Sequence, residues 1–243
     1  MKRLFISFAL IVVTSILTLA QAQNNLYWMV RFKVKLDKKL EWEKKFPVFL
    51  KTHYPHLKVN TYLILTGENA KSYVSGFGPM SYKDLDAPPV YPKGEALLKT
   101  DGQAIDALCE TVHDYAVRRV EDISDMKPDR KVKYLLVTYY EINPGQWSQM
   151  HDLILIAKEG RKLAGSKMDY DYYRPSGSGN NNVFAIVRYM EKLEEMDFQE
   201  DWGLAYNAVH GAGAWERRVA EYYSLIKSSK SELRVLREDL STK

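Results

Sequence analysis

The most constraining feature of this sequence is an internal repeat, because self-similarity indicates architecture more strongly than local propensity does. Residues 27–35 alternate apolar and polar side chains, which is the period of a strand that buries one face. Residues 134–141 open the second half of the chain in the same way. In each half a tryptophan, Trp42 or Trp147, follows within the first turns of a predicted helix. The first of these helices carries a sheet-facing stripe at steps of four, three and four, formed by Trp42, Phe46, Phe49 and His53.

Each half continues with two short strands joined by a turn. The predicted strands are residues 60–66 and 73–77 in the first half, and residues 169–174 and 183–189 in the second. The intervening segments 67–70 and 175–179 are rich in residues that tolerate turn geometry. Both halves therefore contain a helix followed by a β-hairpin.

A second helix is predicted in each half from paired dipeptides. Val112-His113 precedes Arg118-Arg119 in the first half, and Val209-His210 precedes Arg217-Arg218 in the second. An apolar stripe that runs from Ile105 to Val120 favours a helix that covers the sheet. Residues 231–236 predict one further strand. The sequence thus predicts an α+β chain of two tandem β-α-β-β-α units, at residues 23–130 and 131–243, whose antiparallel sheets close into a barrel.

The N-terminus has the composition of a cleavable export signal. Lys2 and Arg3 supply positive charge, residues 4–19 are nearly all apolar, and residues 20–22 offer the small side chains that a signal peptidase needs. A membrane anchor is the alternative, but the apolar run is shorter than the roughly 20 residues that span a bilayer. We predict a signal peptide at residues 1–22 and a mature protein that is periplasmic or secreted, soluble and free of the membrane.

Charge and cysteine content exclude several classes of function. Cleavage after residue 22 would remove Lys2 and Arg3 and lower the formal net charge from +4 to +2, with both signs interspersed, so a nucleic-acid partner is not expected. Cys109 is the single cysteine, which excludes an intramolecular disulfide and any metal site with two or more thiolates. No histidine or carboxylate cluster has ligand spacing, and no metal site is predicted.

With this element order, the chain resembles the dimeric α/β-barrel superfamily of ferredoxin-like domains, which includes antibiotic-biosynthesis-type monooxygenases and NIPSNAP-like proteins. The resemblance covers nearly the whole mature chain and rests on stretches such as MVRFKVKLDKKLEWEKKF (29–46) and LLVTYYEINPGQWSQMHDL (135–153). Members commonly pair two single-domain subunits, so two tandem ferredoxin-like units imply an intramolecular pseudo-dimer, either monomeric or as a homodimer. The family's activities run from cofactor-free oxidation of aromatic substrates through haem degradation to no known chemistry, so the fold does not choose among them.

Tyrosine and arginine side chains on the strands are the first candidate ligand site. Arg31 and Tyr140 are predicted on strand faces directed away from the helices, and the second hairpin adds Tyr172, Arg174 and Arg188. A cavity lined by these residues would hold an anionic or aromatic small molecule through hydrogen bonds, stacking and charge. The alternative is that they cap the rim of the barrel, with packed bodies and wet polar tips.

His151 is the second candidate, one helical turn after Trp147 and at the position where the first half has Phe46. An imidazole beneath a helix has the chemistry of a general base or of an axial ligand to haem iron. The alternative is a histidine at the helix boundary that is bonded to the backbone. Two functions remain open: an exported domain that binds a small organic ligand without transforming it, and a cofactor-independent monooxygenase-like or haem-handling enzyme built around Trp147 and His151.

Overall fold

The computed structural model describes residues 25–86, 92–126, 130–176 and 182–242. The predicted signal peptide at residues 1–22 lies outside this range, as does most of the predicted turn at 175–179. Within the described residues, no helix has the length and apolar character needed to cross a membrane.

Strands and helices alternate along the described chain in two similar series. The strands are β1 (Leu26–Val34), β2 (Val59–Ile64), β3 (Tyr73–Met80), β4 (Cys109–Arg119), β5 (Tyr134–Ile142), β6 (Asp169–Pro175), β7 (Val183–Met190) and β8 (Ile226–Leu236). The helices are α1 (Lys39–His53), α2 (Tyr82–Asp86), α3 (Glu95–Asp106), α4 (Trp147–Leu163), α5 (Trp202–His210) and α6 (Ala214–Leu225). When consecutive helices are counted as one segment, each half has the order β-α-β-β-α-β, one strand more than the predicted unit.

The predicted second helix of the first half was wrong in position. Residues 109–119 form strand β4, and the helix that precedes it is α3, which ends at Asp106. Val112-His113 therefore lies in a strand, whereas Val209-His210 ends helix α5, and the two dipeptides are not equivalent. The segment contains β-branched and aromatic residues and pairs along its whole length with β1, so pairing in the sheet prevailed over the apolar spacing.

The eight strands close into an antiparallel barrel in the order β1-β3-β2-β8-β5-β7-β6-β4. Within each half the last strand lies beside the first, which gives the same local order in β4-β1-β3-β2 and in β8-β5-β7-β6. The halves meet where β2 pairs with β8 and where β4 pairs with β6. The final predicted strand is thus confirmed as β8, and it is one of the strands that join the halves. Edge pairing of this kind leaves no open sheet edge at the two junctions.

Helices cover the outside of the barrel, and this position follows from their apolar stripes. Trp42 and Phe46 of α1 are 0% and 1% exposed and pack against Phe32 of β1. Burial of an aromatic side chain of this kind contributes about 1.5–3 kcal/mol. In the second half, Met150 and Ile154 of α4 occupy the corresponding core. A third group of buried residues lies inside the barrel, including Leu135, Val137, Val187 and Tyr189.

Candidate ligand-binding site

A cavity of about 380 Å³ lies inside the barrel and receives side chains from all eight strands. We call it the barrel cavity. Apolar side chains such as Met29, Val137 and Val187 form part of its wall. Its polar lining is dominated by tyrosines: Tyr27, Tyr62, Tyr115, Tyr139, Tyr173 and Tyr189. The volume lies in the range of roughly 300–1,000 Å³ that is typical of small-molecule sites, and a mostly apolar wall with a few polar groups is typical as well.

One polar group is centred on Asp171 of β6, which lines the cavity together with Tyr173 and Tyr189 and pairs with Arg119. We call these four residues the aspartate cluster. Asp171 Oδ1 accepts a hydrogen bond from Arg119 Nη2 at 2.8 Å, and Oδ2 accepts one from the Tyr189 hydroxyl at 2.9 Å. The Tyr173 hydroxyl lies 3.0 Å from that of Tyr189. Because a carboxylate only accepts, Tyr189 donates to Asp171 and its oxygen is left to accept from Tyr173. Both phenol hydrogens are thereby used within the cluster.

The other polar group is centred on β8, where Tyr115, Tyr139 and Arg234 line the cavity and Glu232 and Arg31 lie beside Arg234. We call these five residues the arginine cluster. Arg234 and Glu232 are each 3% exposed. Arg234 donates to Glu232 Oε2 from Nε at 3.1 Å and from Nη2 at 2.6 Å, and it also donates to the Tyr139 hydroxyl. Arg31 Nη2 lies 3.6 Å from Glu232 Oε1, which is longer than a hydrogen bond.

Burial raises the pKa of several tyrosines of the barrel cavity, which keeps them as neutral phenols at physiological pH. Burial raises the pKa of Tyr62 to about 12. Burial also raises the pKa of Tyr115, and, together with the charge of Asp171, it raises those of Tyr173 and Tyr189 well above the ordinary value. Removal from water disfavours the phenolate, so each hydroxyl keeps its hydrogen and can donate it.

A smaller cavity of about 210 Å³ lies outside the barrel, between β6, β7 and the helices α4, α5 and α6. We call it the outer cleft. Its lining is aromatic, with Tyr170, Tyr172, Trp202, Trp215, Tyr222 and Tyr223. Its buried cation, Arg161, lies 2.7 Å from Asp125 Oδ2 and faces the rings of Tyr170 and Trp202 at 4.9 and 5.7 Å. The charge of Arg161 is therefore neutralised within the protein.

The structure does not bring the predicted ligand-binding residues together. Arg31 lies on the same strand face as Tyr27 and Met29, beside the barrel cavity. The other six lie on the helix side of the second half: Tyr140, Trp147, His151, Tyr172, Arg174 and Arg188. The prediction that all seven residues line one cavity is therefore wrong.

The main cause of this error is that the two faces of strand β5 were assigned the wrong way round. We predicted that Tyr140 faces away from the helices, but its ring stacks on Phe184 at 5.1 Å and meets Tyr222 of α6 edge-on at 6.1 Å. The neighbouring Tyr139 faces the barrel cavity instead. Side chains alternate along a strand, so a one-residue error in phase moves every side chain to the opposite face. Similarly, Tyr172 contacts Arg161 Nη1 at 3.3 Å, and Arg174 lies 3.9 Å above the Trp147 ring.

Sequence reasoning missed several residues that do line the barrel cavity. Tyr115 was placed in a helix, and its strand position on β4 explains its inward direction. Tyr62 and Arg234 lie on strands that were predicted, but they were not singled out. Alternation along β8, in which Glu232, Arg234 and Leu236 share one face, is the signal that would have revealed a buried charge pair.

A haem group held through His151 does not fit these residues. His151 Nε2 lies 2.9 Å from Asp122 Oδ2, and Nδ1 lies 3.8 Å from Asp152 Oδ1, so both ring nitrogens face carboxylates. Among the described residues, neither the barrel cavity nor the outer cleft has a histidine or cysteine in its lining. The imidazole or thiolate that commonly holds haem iron is thus missing from both lining sets. His151 has the geometry of a histidine paired at a helix boundary.

Comparison with known proteins gives matches in structure and none in sequence. No protein-family model and no curated protein matches the sequence. A candidate monooxygenase from Lactobacillus acidophilus NCFM matches with a TM-score of 0.57 and 8% identity, over 90% of this chain and 96% of the other. An anthrone oxidase-like protein matches with a TM-score of 0.52 and 11% identity, over 89% and 92%.

Chlorite dismutase from Candidatus Nitrospira defluvii has the same arrangement, with a TM-score of 0.52 and 10% identity over 91% of this chain and 95% of the other. Identities this low establish the fold alone. Both the strand order and the near-complete coverage agree with two ferredoxin-like units in one polypeptide. The chain therefore has the dimeric α/β-barrel fold, with both halves of the barrel supplied by the same molecule.

Proposed function

We propose that the protein binds a small aromatic molecule in the barrel cavity. The observation that carries this proposal is a cavity of about 380 Å³ into which six tyrosines project. Phenol rings stack on aromatic ligands face to face or edge to face, and their hydroxyls bond to polar substituents at the same time. Apolar wall residues such as Met29 and Val187 supply the remaining contact surface.

Pairing within the aspartate cluster favours binding over chemistry at Asp171. Its carboxylate accepts from Arg119, from Tyr189 and from the backbone amide of Met126 at 3.2 Å. These three hydrogen bonds already engage both oxygens of the carboxylate, so Asp171 serves as an internal acceptor of the protein. The cluster is thus suited to hold the cavity in shape.

The test is a set of binding titrations followed by tryptophan fluorescence, with 2-naphthol, 4-cresol and anthrone as probes. Ala185 and Ile186 are neighbours on β7 that point to opposite sides, Ala185 into the barrel cavity and Ile186 into the outer cleft. We expect Ala185→Phe to fill the barrel cavity and weaken binding by at least about tenfold, and Ile186→Phe to leave binding unchanged. Circular dichroism and a thermal melt establish that both variants are folded.

Two results would overturn the proposal. If none of the three probes binds, the cavity is not a site for aromatic molecules. If Ile186→Phe abolishes binding while Ala185→Phe does not, the ligand occupies the outer cleft. Native mass spectrometry of the freshly purified protein adds an independent readout, because a retained aromatic molecule would appear as a mass increment.

Export is part of the proposed function. It is supported by the positive residues Lys2 and Arg3, the apolar segment 4–19 and the small residues at 20–22. The expected observation is a chain that begins at Gln23 in the extracytoplasmic fraction. A cytosolic chain that retains residues 1–22 would contradict export.

Oxidation of the bound aromatic molecule is a second candidate function. It is favoured by the names of two structural neighbours, the candidate monooxygenase and the anthrone oxidase-like protein. Anthrone is an aromatic ketone, in keeping with the ligand class proposed for the barrel cavity. Oxygen uptake with anthrone, compared between the native protein and Ala185→Phe, tests this function. If Ala185→Phe takes up oxygen as fast as the native protein does, the oxidation does not occur in the barrel cavity.

A further inference from the structure

The arginine cluster contains more positive than negative charge. Arg31 and Arg234 share a single carboxylate, Glu232. Glu232 Oε2 is occupied by Arg234, and Oε1 accepts from Asn69 Nδ2 at 2.6 Å. Among the described residues, Arg31 Nε has no hydrogen-bond partner although it is buried. The Arg31 side chain is 21% exposed and thus partly shielded from water, so an anion placed beside it is favoured.

Other charged groups nearby do not remove this excess. Glu68 is close enough for Arg31 to lower its pKa, after the larger effect of its hydrogen bond with Lys230. Lys230 Nζ lies 2.6 Å from Glu68 Oε2, and both side chains are about 70% exposed. Glu68 and Lys230 therefore neutralise each other in solvent, and the cluster keeps one uncompensated positive charge.

The phenols of the arginine cluster also have a hydrogen to donate. The Tyr139 oxygen accepts from Arg234, which can only donate, so this bond does not use the Tyr139 hydrogen. Tyr115 lies close enough to Tyr139 for the two phenols to interact. The two hydroxyls have two hydrogens between them and a bond between them would use one, so at least one is left for another acceptor. Both tyrosines and Arg234 line the barrel cavity, so this hydrogen is available to a ligand there.

The aspartate cluster has neither an unused phenol hydrogen nor an uncompensated charge. Its phenol hydrogens are used internally, and Arg119 is balanced by Asp171 at 2.8 Å and by Glu121. Arg130 of the same wall is likewise paired with Asp169 at 2.8 Å and with Glu195. Among the arginine cluster, the aspartate cluster and Arg130 with its partners, only the arginine cluster combines an unused phenol hydrogen with an uncompensated positive charge.

We propose that the aromatic ligand of the barrel cavity carries a carboxylate, which binds Arg234 and the Tyr115–Tyr139 pair and neutralises Arg31. This inference rests on the proposed binding function and narrows it to aromatic acids. The carboxylate accepts the unused phenol hydrogen and a guanidinium hydrogen, and both bonds are charge-assisted. The aromatic ring of the ligand then lies among Tyr62, Met29 and Val137.

The experiment compares 2-naphthoate with its neutral isostere 2-naphthamide by isothermal titration calorimetry. We expect naphthoate to bind at least about tenfold more tightly to the native protein. Arg31→Gln removes the uncompensated charge while Glu232 keeps Arg234 as its partner. In this variant the preference for naphthoate should fall to about one, with naphthamide affinity unchanged.

Lys58→Gln is the matched control, because Lys58 is a cation of the cavity lining that lies outside the arginine cluster and is exposed. The preference for naphthoate should survive this substitution. If Lys58→Gln removes the preference and Arg31→Gln does not, the carboxylate site is wrongly assigned. If both probes bind native protein equally, the inference fails while the proposed function stands. If neither probe nor any of the neutral aromatics binds, the proposed function itself fails.

Discussion

Asp171 Oδ1 on β6 lies 2.8 Å from Arg119 Nη2 on β4, so a partly buried ion pair crosses one of the two junctions between the halves of the barrel. The junction itself is short, since Val117–Arg119 pair with Tyr173–Pro175. The pair adds a charge-assisted bond next to these few backbone contacts. Arg31 and Glu232 bridge strands of the two halves near the other junction, at a longer 3.6 Å.

Substitution of Asp171 should destabilise the barrel. Asp171→Asn leaves the partly buried Arg119 without its main counter-charge, and loss of one partner of a buried pair typically costs about 3–5 kcal/mol. Asp122→Asn is the control, because Asp122 is 60% exposed and its pair with His151 is at the surface. Urea denaturation of both variants measures the free energy of unfolding. A loss below about 1 kcal/mol for Asp171→Asn would show that the junction does not depend on this pair.

Acid should weaken the fold through Glu232. Burial opposes ionisation of Glu232, but the charge of Arg234 and hydrogen bonds from Arg234 and Asn69 lower its pKa below the ordinary value. A carboxyl with a lowered folded pKa stabilises the protein above its unfolded pKa of about 4.3, and this stabilisation is lost as the pH falls through the folded pKa. In Glu232→Gln the free energy of unfolding should therefore fall less between about pH 5 and pH 3.

The control for the acid experiment is Glu238→Gln, which removes an exposed carboxylate from the same end of the chain. Its pH dependence should match that of the native protein. Equal slopes for native protein and Glu232→Gln would contradict a role for Glu232 in acid stability.

Two helical glycines should respond to alanine in opposite directions. A Cβ atom on Gly102 of α3 would meet nothing within 4 Å, so Gly102→Ala should stabilise the protein by about 0.5–1 kcal/mol through backbone entropy. On Gly203 of α5 it would lie 2.6 Å from Cδ1 of Trp215, so Gly203→Ala should destabilise by about 1–3 kcal/mol. Thermal unfolding measures both. Equal shifts would mean that α5 and α6 do not pack as closely as described.

Much of the fold was predictable because it depends on local periodicity. The strands β1, β5, β6 and β7 lie within a residue or two of the predicted segments, and the stripe from Trp42 to His53 is buried or half-buried against the sheet. The secondary structure of residues 109–119 was harder to predict, since their apolar spacing fits a helix and a strand about equally. Pairing with β1, distant in sequence, selected the strand.

The amino-acid sequence by itself determined most of the order of the elements, the doubling of one unit and the abundance of tyrosine, because these follow from short-range patterns. The strand at residues 109–119 was the exception. Tertiary structure alone decided which tyrosines face the cavity. Residues 134–140 are largely apolar or aromatic on both faces, so the sequence did not set the phase that turns Tyr139 inward and Tyr140 outward. That phase is fixed when the eight strands close around one interior. The same closure brings Arg31, Glu232 and Arg234 together from opposite ends of the chain.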